Sequence, residues 1–450
     1  MRSGYYIYND SKYIFELEDN GMMTVMEEKG IDLNKYVNNA NVYNNSTEEL
    51  QIQKVKMFPN WNDAIIFHSE NLDNIGQGET IKIFAIIEFD FIEEDLIDRI
   101  DVYSKELDYI YDVRKVLNKI YRKDDGYTNF ELNSFDKVNS SEKELTMNES
   151  IIKYSWLINR RIDYKEMNSF FYANTILRFQ LDKSTDNYVF IFDFIQKIKI
   201  FISYLYYRSN VSFNKIELKS NGKKKAIMTL FDNNKDTNEE KFIKKNFIKY
   251  EYIKNIDDKI LQAIIDNNLF IRHIPKDEID RNEITPEKFV TISNAFEWEF
   301  KRLFPNGVKH NEKKLKAIEQ IKKDIYKISK DYTGEEKGII KNVLNNVGKD
   351  NLESRLNYSY EELKNISERF FKRLCELNYI ELKKDIFTEL QKLRNNFSHG
   401  EMEINLNSSG YIGLLFLERL NYIIQLKRFE VKDEIIMKII NDLFDAGIAL

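Results

Sequence analysis

The chain has 450 residues, more than one compact core usually requires, so two or three domains are expected. Hydrophobic residues make up 42% of it and charged residues 32%, which is typical of a globular protein and excludes the disordered and fibrous classes. The single cysteine, Cys375, excludes a disulfide framework and a thiolate zinc cluster within one chain. No apolar run reaches the about 18 residues of a membrane span and no signal stretch follows Met1, so we expect a cytoplasmic protein without a membrane partner.

The charge is distributed unevenly along the chain. The net charge is −6, with 68 basic and 74 acidic residues. From Pro286 onward there are 28 basic and 26 acidic residues, a balance of +2, which leaves 40 and 48 before it, a balance of −8. The acidity therefore belongs to the N-terminal part, and the overall charge alone argues against a dedicated nucleic-acid binder.

The first 280 or so residues mix short strands with a few helices. The strand segments are rich in β-branched and aromatic residues and are separated by Asn, Asp and Gly, as at the turn Asp19-Asn20-Gly21. The predicted strands are Tyr5–Tyr8, Tyr13–Leu17, Met22–Met26, Leu50–Met57, Ala64–Phe67, Ile81–Phe89, Tyr127–Leu132, Ile176–Leu181 and Lys225–Leu230. Helical spacing predicts helices over Glu93–Tyr121 and Phe190–Tyr207. This pattern favours a sandwich-like or half-barrel β domain with one or two helices attached.

A domain boundary is predicted between residues 283 and 284, and a further split near residue 150 is left open. The boundary follows a polar, charged stretch, and Thr285-Pro286-Glu287 then supplies an N-cap, a proline at the first helical position and an early carboxylate. Apolar stripes at helical spacing continue from there, such as Leu315, Ile318, Ile321, Ile325 and Ile328. The predicted class is therefore α+β, with a β-rich region 1–283 and an all-α bundle 284–450.

The segment from Asp385 to Gly400 carries the residues that point to chemistry. On a helix, Ile386, Leu390, Leu393 and Phe397 share one apolar face, and Arg394 lies about 40° from Leu390, where its guanidinium reaches a seam between helices or subunits. Asn395 and His399 share another face, but His399 lies about 140° from Arg394. Either the last turn loosens at Gly400 and brings His399 round, or the motif works as part of a two-chain site.

Arg394, Asn395 and His399 at the end of a bundle helix resemble the signature of the HEPN family, with four residues between the arginine and the histidine. The layout, with a β-rich part before the bundle, resembles the ApeA-type abortive-infection proteins of bacteria, and the segment 289–297 is similar to the first HEPN helix of that group. The resemblance covers about residues 286–450. It implies a homodimeric, metal-independent endoribonuclease of anti-phage defence that needs no cofactor, whose N-terminal region senses a trigger such as a phage product.

The residue types suit that reaction. RNA is cleaved when its own 2′-hydroxyl attacks the neighbouring phosphate, so the protein has to hold the phosphate, stabilise its charge and move protons. Arg394 is assigned to the phosphate, His399 to general acid–base catalysis, and Asn395 to holding either of them or a phosphate oxygen. The alternative function is a non-catalytic HEPN module that dimerises or binds a nucleotide, with a β domain that binds a protein or polymer.

Several features also have simpler interpretations. His399 at an exposed helix end can contact terminal carbonyls and the helix dipole without any catalytic role. Glu297 and Glu299 are placed to orient Arg394, although ordinary surface carboxylates are the favoured interpretation. A lysine-rich helix flank can follow an RNA backbone, but the interleaved Glu312, Glu319 and Asp324 favour a solvated face with ion pairs. The lysines of that flank are Lys313, Lys314, Lys316, Lys322 and Lys323.

Overall fold

Contacts within the chain divide the protein into two units, Met1–Asn268 and Leu269–Leu450. The computed structural model describes residues 2–8, 11–27, 50–60, 62–69, 80–90, 96–122, 128–165, 168–231, 246–379, 385–399 and 407–447. Strands predominate in the described part of the first unit and helices make up the regular structure of the second, which confirms the predicted order of a β-rich region and a helical region. In the described residues no helix combines the length and apolar character that crossing a membrane requires.

The strands of the first unit form antiparallel pairs. Within the described residues they are β1 (Arg2–Tyr8), β2 (Ser11–Leu17), β3 (Met22–Glu27), β4 (Gln51–Met57), β5 (Asn62–His68), β6 (Thr80–Phe89), β7 (Ile97–Tyr103), β8 (Leu117–Arg122), β9 (Thr128–Leu132), β10 (Lys143–Met147), β11 (Ser150–Lys165), β12 (Asn168–Thr185), β13 (Lys215–Ser220) and β14 (Lys223–Leu230). Each predicted strand overlaps one of these; Leu50 precedes β4, Ile176–Leu181 is part of the longer β12, and Tyr127 lies outside the described residues.

The first six strands close into a barrel in the order β6-β3-β2-β1-β4-β5, and β5 pairs with β6 to complete it. In the described parts of β2, β3 and β4 buried side chains alternate with more exposed ones, as the period of two along a strand requires. The interior residues are Phe15, Leu17, Met23, Val25, Val55, Met57, Ala64, Ile66, Ile81 and Ile83. The sandwich-like form is therefore wrong for this part, because alternation predicts one buried face but does not tell a closed sheet from two packed ones.

The predicted turn at Asp19-Asn20-Gly21 joins β2 to β3. Gly21 has φ +84°, and its N–H donates a hydrogen bond of 3.0 Å to Glu18 O. A Cβ at this position would lie 2.5 Å from the side chain of Phe231, so glycine satisfies both the backbone angle and the close packing.

The remaining large sheet continues from β6 in the order β14-β13-β7-β12-β11-β10. Helix α3 (Tyr188–Tyr206) confirms the predicted helix 190–207, and its buried apolar side chains pack against this unit's aromatic residues, such as Phe194 against Phe179. The predicted helix Glu93–Tyr121 is wrong. Residues 93–95 lie outside the described ones; beyond them strand β7 lies between β12 and β13 and is followed by the short helix α1 (Lys105–Ile110), the 3-10 helix Val113–Val116 and strand β8. The apolar residues of this segment fit both the helical and the strand period. It forms a strand because β7 pairs with a neighbouring strand on each of its edges.

Asp108, on α1, connects this helix to β12 and makes the stability of the first unit depend on pH. Its Oδ1 accepts a hydrogen bond of 2.6 Å from Thr175 N. Burial raises the pKa of Asp108 from 3.8 to about 6, against the lowering effect of the Thr175 bond and with a further increase from Glu106. Its stabilising contribution is therefore fully present below pH 3.8 and is lost as the pH rises through about 6.

Replacing the Asp108 carboxylate by an amide should remove this dependence on pH. Asp108→Asn keeps the carbonyl acceptor for Thr175, so we expect it to be more stable than wild type by about 1–2 kcal/mol at neutral pH, after discounting for partial exposure. Below about pH 4 the two proteins should be equally stable. Thermal unfolding of both across this range tests the expectation, and parallel profiles would contradict it.

The helices of the second unit include α8, which covers the predicted apolar stripe from Leu315 to Ile328, and α12, which carries the segment from Asp385. Within the described residues they are α6 (Glu278–Asn282), α7 (Pro286–Leu303), α8 (Glu312–Ile328), α9 (Gly334–Asn346), α10 (Leu352–Glu362), α11 (Lys364–Leu377), α12 (Asp385–Ser398), α13 (Ser408–Arg428) and α14 (Asp433–Phe444); in the first unit, α2 (Phe135–Val138), α4 (Tyr250–Ile253) and α5 (Asp257–Ile265) complete the numbering. Thr285 caps α7 by accepting a 3.2 Å hydrogen bond from Lys288 N.

The two units divide earlier in the chain than the predicted boundary at 283/284. Residues 269–283, which include the polar stretch before the predicted boundary, are bonded to helices of the second unit. Phe270 N donates to Glu299 Oε1 at 2.9 Å, and Arg281 Nη2 donates to Leu443 O at 3.1 Å. The polar stretch therefore belongs to the second unit.

Candidate functional site

Helix α12 carries Arg394, and its apolar face packs into the second unit as predicted. Ile386, Phe387, Leu390 and Leu393 are buried. A Cβ at Gly413 of α13 would lie 2.8 Å from the Leu390 side chain, so glycine lets the two helices approach closely. The packing of α12 therefore fixes the direction in which Arg394 and Asn395 leave the helix.

Arg394 lies at the seam between α12 and α7. Its side chain is 32% exposed, and Nη2 lies 3.8 Å from Oε2 of Glu297. The other oxygen of Glu297 lies 3.4 Å from Nη1 of Arg355, on α10. Two guanidinium groups thus share one carboxylate, and the cluster keeps a net positive charge of one. Nε of Arg394 is buried without a hydrogen-bond partner among the described residues.

Asn395 and His399 are both exposed. Asn395 Oδ1 accepts a hydrogen bond of 2.8 Å from Gln391 Nε2, and Gln391 Oε1 accepts one of 3.3 Å from the backbone N–H of Glu353. This chain of bonds fixes the Asn395 carbonyl and leaves its amide NH₂ available as a donor.

The backbone N–H of His399 donates to Asn395 O at 3.0 Å and to Asn396 O at 3.1 Å, which tightens the last turn of α12. In the part of the chain that the structure describes, the His399 imidazole makes no hydrogen bond, so contacts to terminal carbonyls do not occupy it there. Gly400, predicted to loosen this turn, lies outside the described residues.

The structure places Arg394 at the seam with Glu297 and leaves Asn395 and His399, one helical turn apart, exposed. No contact between Arg394 and His399 is present among the described residues, as expected for side chains about 140° apart on a helix. One chain therefore presents a held guanidinium and a free imidazole on different sides of α12. A site that uses both within one chain would require a rearrangement of the last turn.

The two glutamates of α7 that the sequence placed near Arg394 have different surroundings in the structure. Glu297 contacts Arg394, so it is no ordinary surface carboxylate. For Glu299 the surface interpretation is wrong: its side chain is fully buried and pairs with Nη1 of Arg428, on α13. Burial raises the pKa of Glu299, against the lowering effects of the Phe270 backbone bond and of Arg428.

Sequence reasoning missed Arg355 and Gln391 as neighbours of the motif. Gln391 stands four residues before Asn395, so helical spacing alone would have placed the two side chains together. Arg355 lies on a different helix, and no local pattern indicates that it shares Glu297 with Arg394. Arg355 and Arg394 share Glu297 only because α7, α10 and α12 pack together.

The lysine-rich flank of α8 has few ion pairs. Lys316 lies 3.9 Å from Glu312, and Lys327 lies 3.5 Å from Asp324. Within the described residues no ion pair is formed by the other four lysines of the predicted flank, Lys313, Lys314, Lys322 and Lys323. The face is solvated as predicted, and two of its three interleaved acidic residues form ion pairs, but four of the five flank lysines form none in the described residues.

The fold and site define a chain with a barrel-containing β unit, a helical unit, and an Arg-Asn-x-x-x-His motif at the end of a packed helix. Comparison with protein-family models, with curated proteins and with solved structures finds no match to the chain. Its function therefore has to be argued from the site itself.

Proposed function

We propose that this protein is a metal-independent endoribonuclease of the HEPN type, acting in anti-phage defence by abortive infection. The observation that carries the proposal is the state of Arg394: its guanidinium is held 3.8 Å from Glu297 at a helix seam, yet remains partly exposed beside Asn395. An arginine kept in place and still open to solvent suits the binding of a phosphate.

The proposed chemistry assigns one task to each residue of the motif. Arg394 binds the scissile phosphate and stabilises the negative charge that grows on it as the 2′-hydroxyl attacks. His399 moves the protons, because an imidazole can both accept and donate one. Asn395, whose carbonyl is occupied by Gln391, offers its NH₂ group to a phosphate oxygen. Since the RNA provides the nucleophile, the protein requires no nucleophilic side chain.

The reaction is proposed to occur in a homodimer. Arg394 and His399 leave α12 on different sides, so one chain does not present them to one phosphate. A two-fold interface at the end of α12 would place Arg394 of one protomer opposite His399 of its partner. The first unit, which carries the chain's acidity, is proposed to hold the enzyme inactive until a phage-derived trigger binds.

The proposal is tested by incubating total RNA with the purified full-length protein in the presence of EDTA, with and without lysate of phage-infected cells. We expect cleavage that leaves 2′,3′-cyclic phosphate ends, because attack by the 2′-hydroxyl has no other first product. DNA of the same sequence and RNA with 2′-deoxy substitution should stay intact. Cleavage of the 2′-deoxy substrate would contradict the proposed mechanism, because that substrate has no 2′-hydroxyl to attack the phosphate. RNA left intact under every condition would favour the alternative, a non-catalytic HEPN binding module.

A further inference from the structure

Helices α8 and α9 form a hairpin, residues 312–346, that the core of the second unit does not use. Neither helix contains a buried residue. In the predicted apolar stripe of α8, Ile318 and Ile325 are half-buried. Leu315 is 47% exposed and Ile321 is 48% exposed. A surface that folding leaves accessible is available for a ligand or partner.

This hairpin, here called the basic hairpin, carries an excess of positive charge. Residues 312–346 contain nine lysines and six acidic residues, a net charge of +3 in a chain of −6. Four of the lysines have ammonium groups without an ion pair or hydrogen bond in the described residues, namely Lys313, Lys314, Lys322 and Lys323. Unpaired cations along one helix suit a polyanion better than a protein surface of mixed charge.

Exposed tyrosines stand among these lysines. Tyr326 is 57% and Tyr332 41% exposed, and the ammonium of Lys330 lies 5.4 Å from the centre of the Tyr326 ring. A planar ring beside cations is what single-stranded nucleic acids use, because every base can stack on it while phosphates meet the charges. This combination favours RNA over a purely electrostatic partner such as an anionic membrane surface.

A pocket lies between the start of α8 and helix α10, and its lining includes the carboxylates of Glu353 and Glu361. Its volume is about 500 Å³, and it is lined by Val308, Lys314, Asn351, Glu353, Asn357 and Tyr358, among others. Glu353 bonds through its backbone N–H to Gln391, which bonds to Asn395. Glu353 Oε1 also accepts a hydrogen bond of 2.8 Å from Thr388 of α12. Lys314 thus stands at one side of the pocket, and the helix that carries the motif adjoins Glu353 at another.

We propose that the basic hairpin is the RNA-docking surface of this protein: the four unpaired lysines bind backbone phosphates, and helix α10 beside Lys314 is bonded through Glu353 to the helix that carries Asn395 and Arg394. The inference rests on the proposed function for the identity of its ligand. It adds where the substrate binds, and it assigns to α8 and α9 a role that packing does not explain.

The test measures binding apart from cleavage. Full-length protein is titrated into fluorescent single-stranded RNA with 2′-O-methyl groups, which cannot attack the phosphate, at several salt concentrations. Replacing the four lysines by glutamine (Lys313→Gln, Lys314→Gln, Lys322→Gln and Lys323→Gln) should raise Kd at least about tenfold. The slope of log Kd against log salt should fall by about 0.7 for each lysine–phosphate pair removed, about 3 in all.

A matched control separates a local surface from net charge. It replaces four exposed lysines elsewhere by glutamine, so that the net charge changes equally, and it should bind RNA as the wild type does. The control positions are Lys137, Lys183, Lys432 and Lys438. Circular dichroism and thermal unfolding should be unchanged in both variants, because the replaced side chains are exposed.

The inference is overturned if the hairpin variant keeps the wild-type Kd and salt slope, or if the control loses as much affinity. If the hairpin variant keeps the wild-type Kd for RNA, and the wild type binds anionic lipid vesicles through the same lysines, the basic hairpin binds a membrane instead of RNA. Failure of the proposed function gives a different result. Wild type, hairpin variant and control variant would all fail to cleave RNA, and only the hairpin variant would also lose RNA binding.

Discussion

Arg394→Ala and His399→Ala are each expected to reduce the rate of RNA cleavage by about 10²–10⁴-fold, because one removes phosphate stabilisation and the other removes proton transfer. Arg394→Lys should recover little, since an ammonium cannot form the two parallel bonds of a guanidinium. Asn396→Ala is the matched control: Asn396 is an exposed neighbour on the same helix, outside the motif, and the variant should cleave as wild type does. Initial rates with a defined RNA and 2′,3′-cyclic product ends measure the effect.

Mixing the two inactive variants tests whether the site is shared between chains. If Arg394 of one protomer acts with His399 of its partner, a mixed dimer of Arg394→Ala and His399→Ala contains one intact and one doubly defective site. Half of the dimers in an equal mixture are mixed, so roughly a quarter of the wild-type activity should return. No recovery, with subunit exchange verified separately, would place the site within one chain. Unchanged cleavage by either variant alone would show that the motif is not the active site.

The sequence predicts those parts of the fold that local patterns determine. Alternation marks the barrel strands, and the Thr285-Pro286 cap marks the start of α7 because capping is local. The Glu93–Tyr121 helix is wrong since its apolar residues satisfy both the helical and the strand period. The segment forms a strand because β7 pairs with β12 and β13, which lie far along the chain and which no local pattern reveals.

The candidate site divides in the same way. The position of Arg394 beside the apolar face of α12 follows from helix geometry, and the structure places it at a seam. Glu297 and Glu299 are two residues apart and look alike in the sequence. One reaches Arg394 and the other is buried against Arg428, because successive positions on a helix face different directions and the neighbouring helices decide which is covered. Arg355 enters the site only through packing.

Glu299→Ala is expected to destabilise the second unit strongly, by about 3–5 kcal/mol, because it leaves Arg428 with little solvent and without its carboxylate. The same substitution removes the acceptor of the Phe270 N–H and of Gln425 Nε2, at 2.9 and 3.2 Å. These bonds join α7, α13 and the segment before α6, so the loss should spread to all three.

Glu297→Ala is the matched control for this prediction, since the residue stands on the same helix and also contacts arginines. Its ion pairs are longer and partly exposed, so its removal should cost about 1 kcal/mol or less. Amide hydrogen exchange of α7 and α13 is the suitable measurement, because two units need not unfold in one step. Glu299→Leu combined with Arg428→Met should recover most of the loss, because removing both charges leaves neither unpaired. Equal exchange in the Glu299→Ala and Glu297→Ala variants would mean that the buried pair contributes no more to the bundle than the partly exposed one.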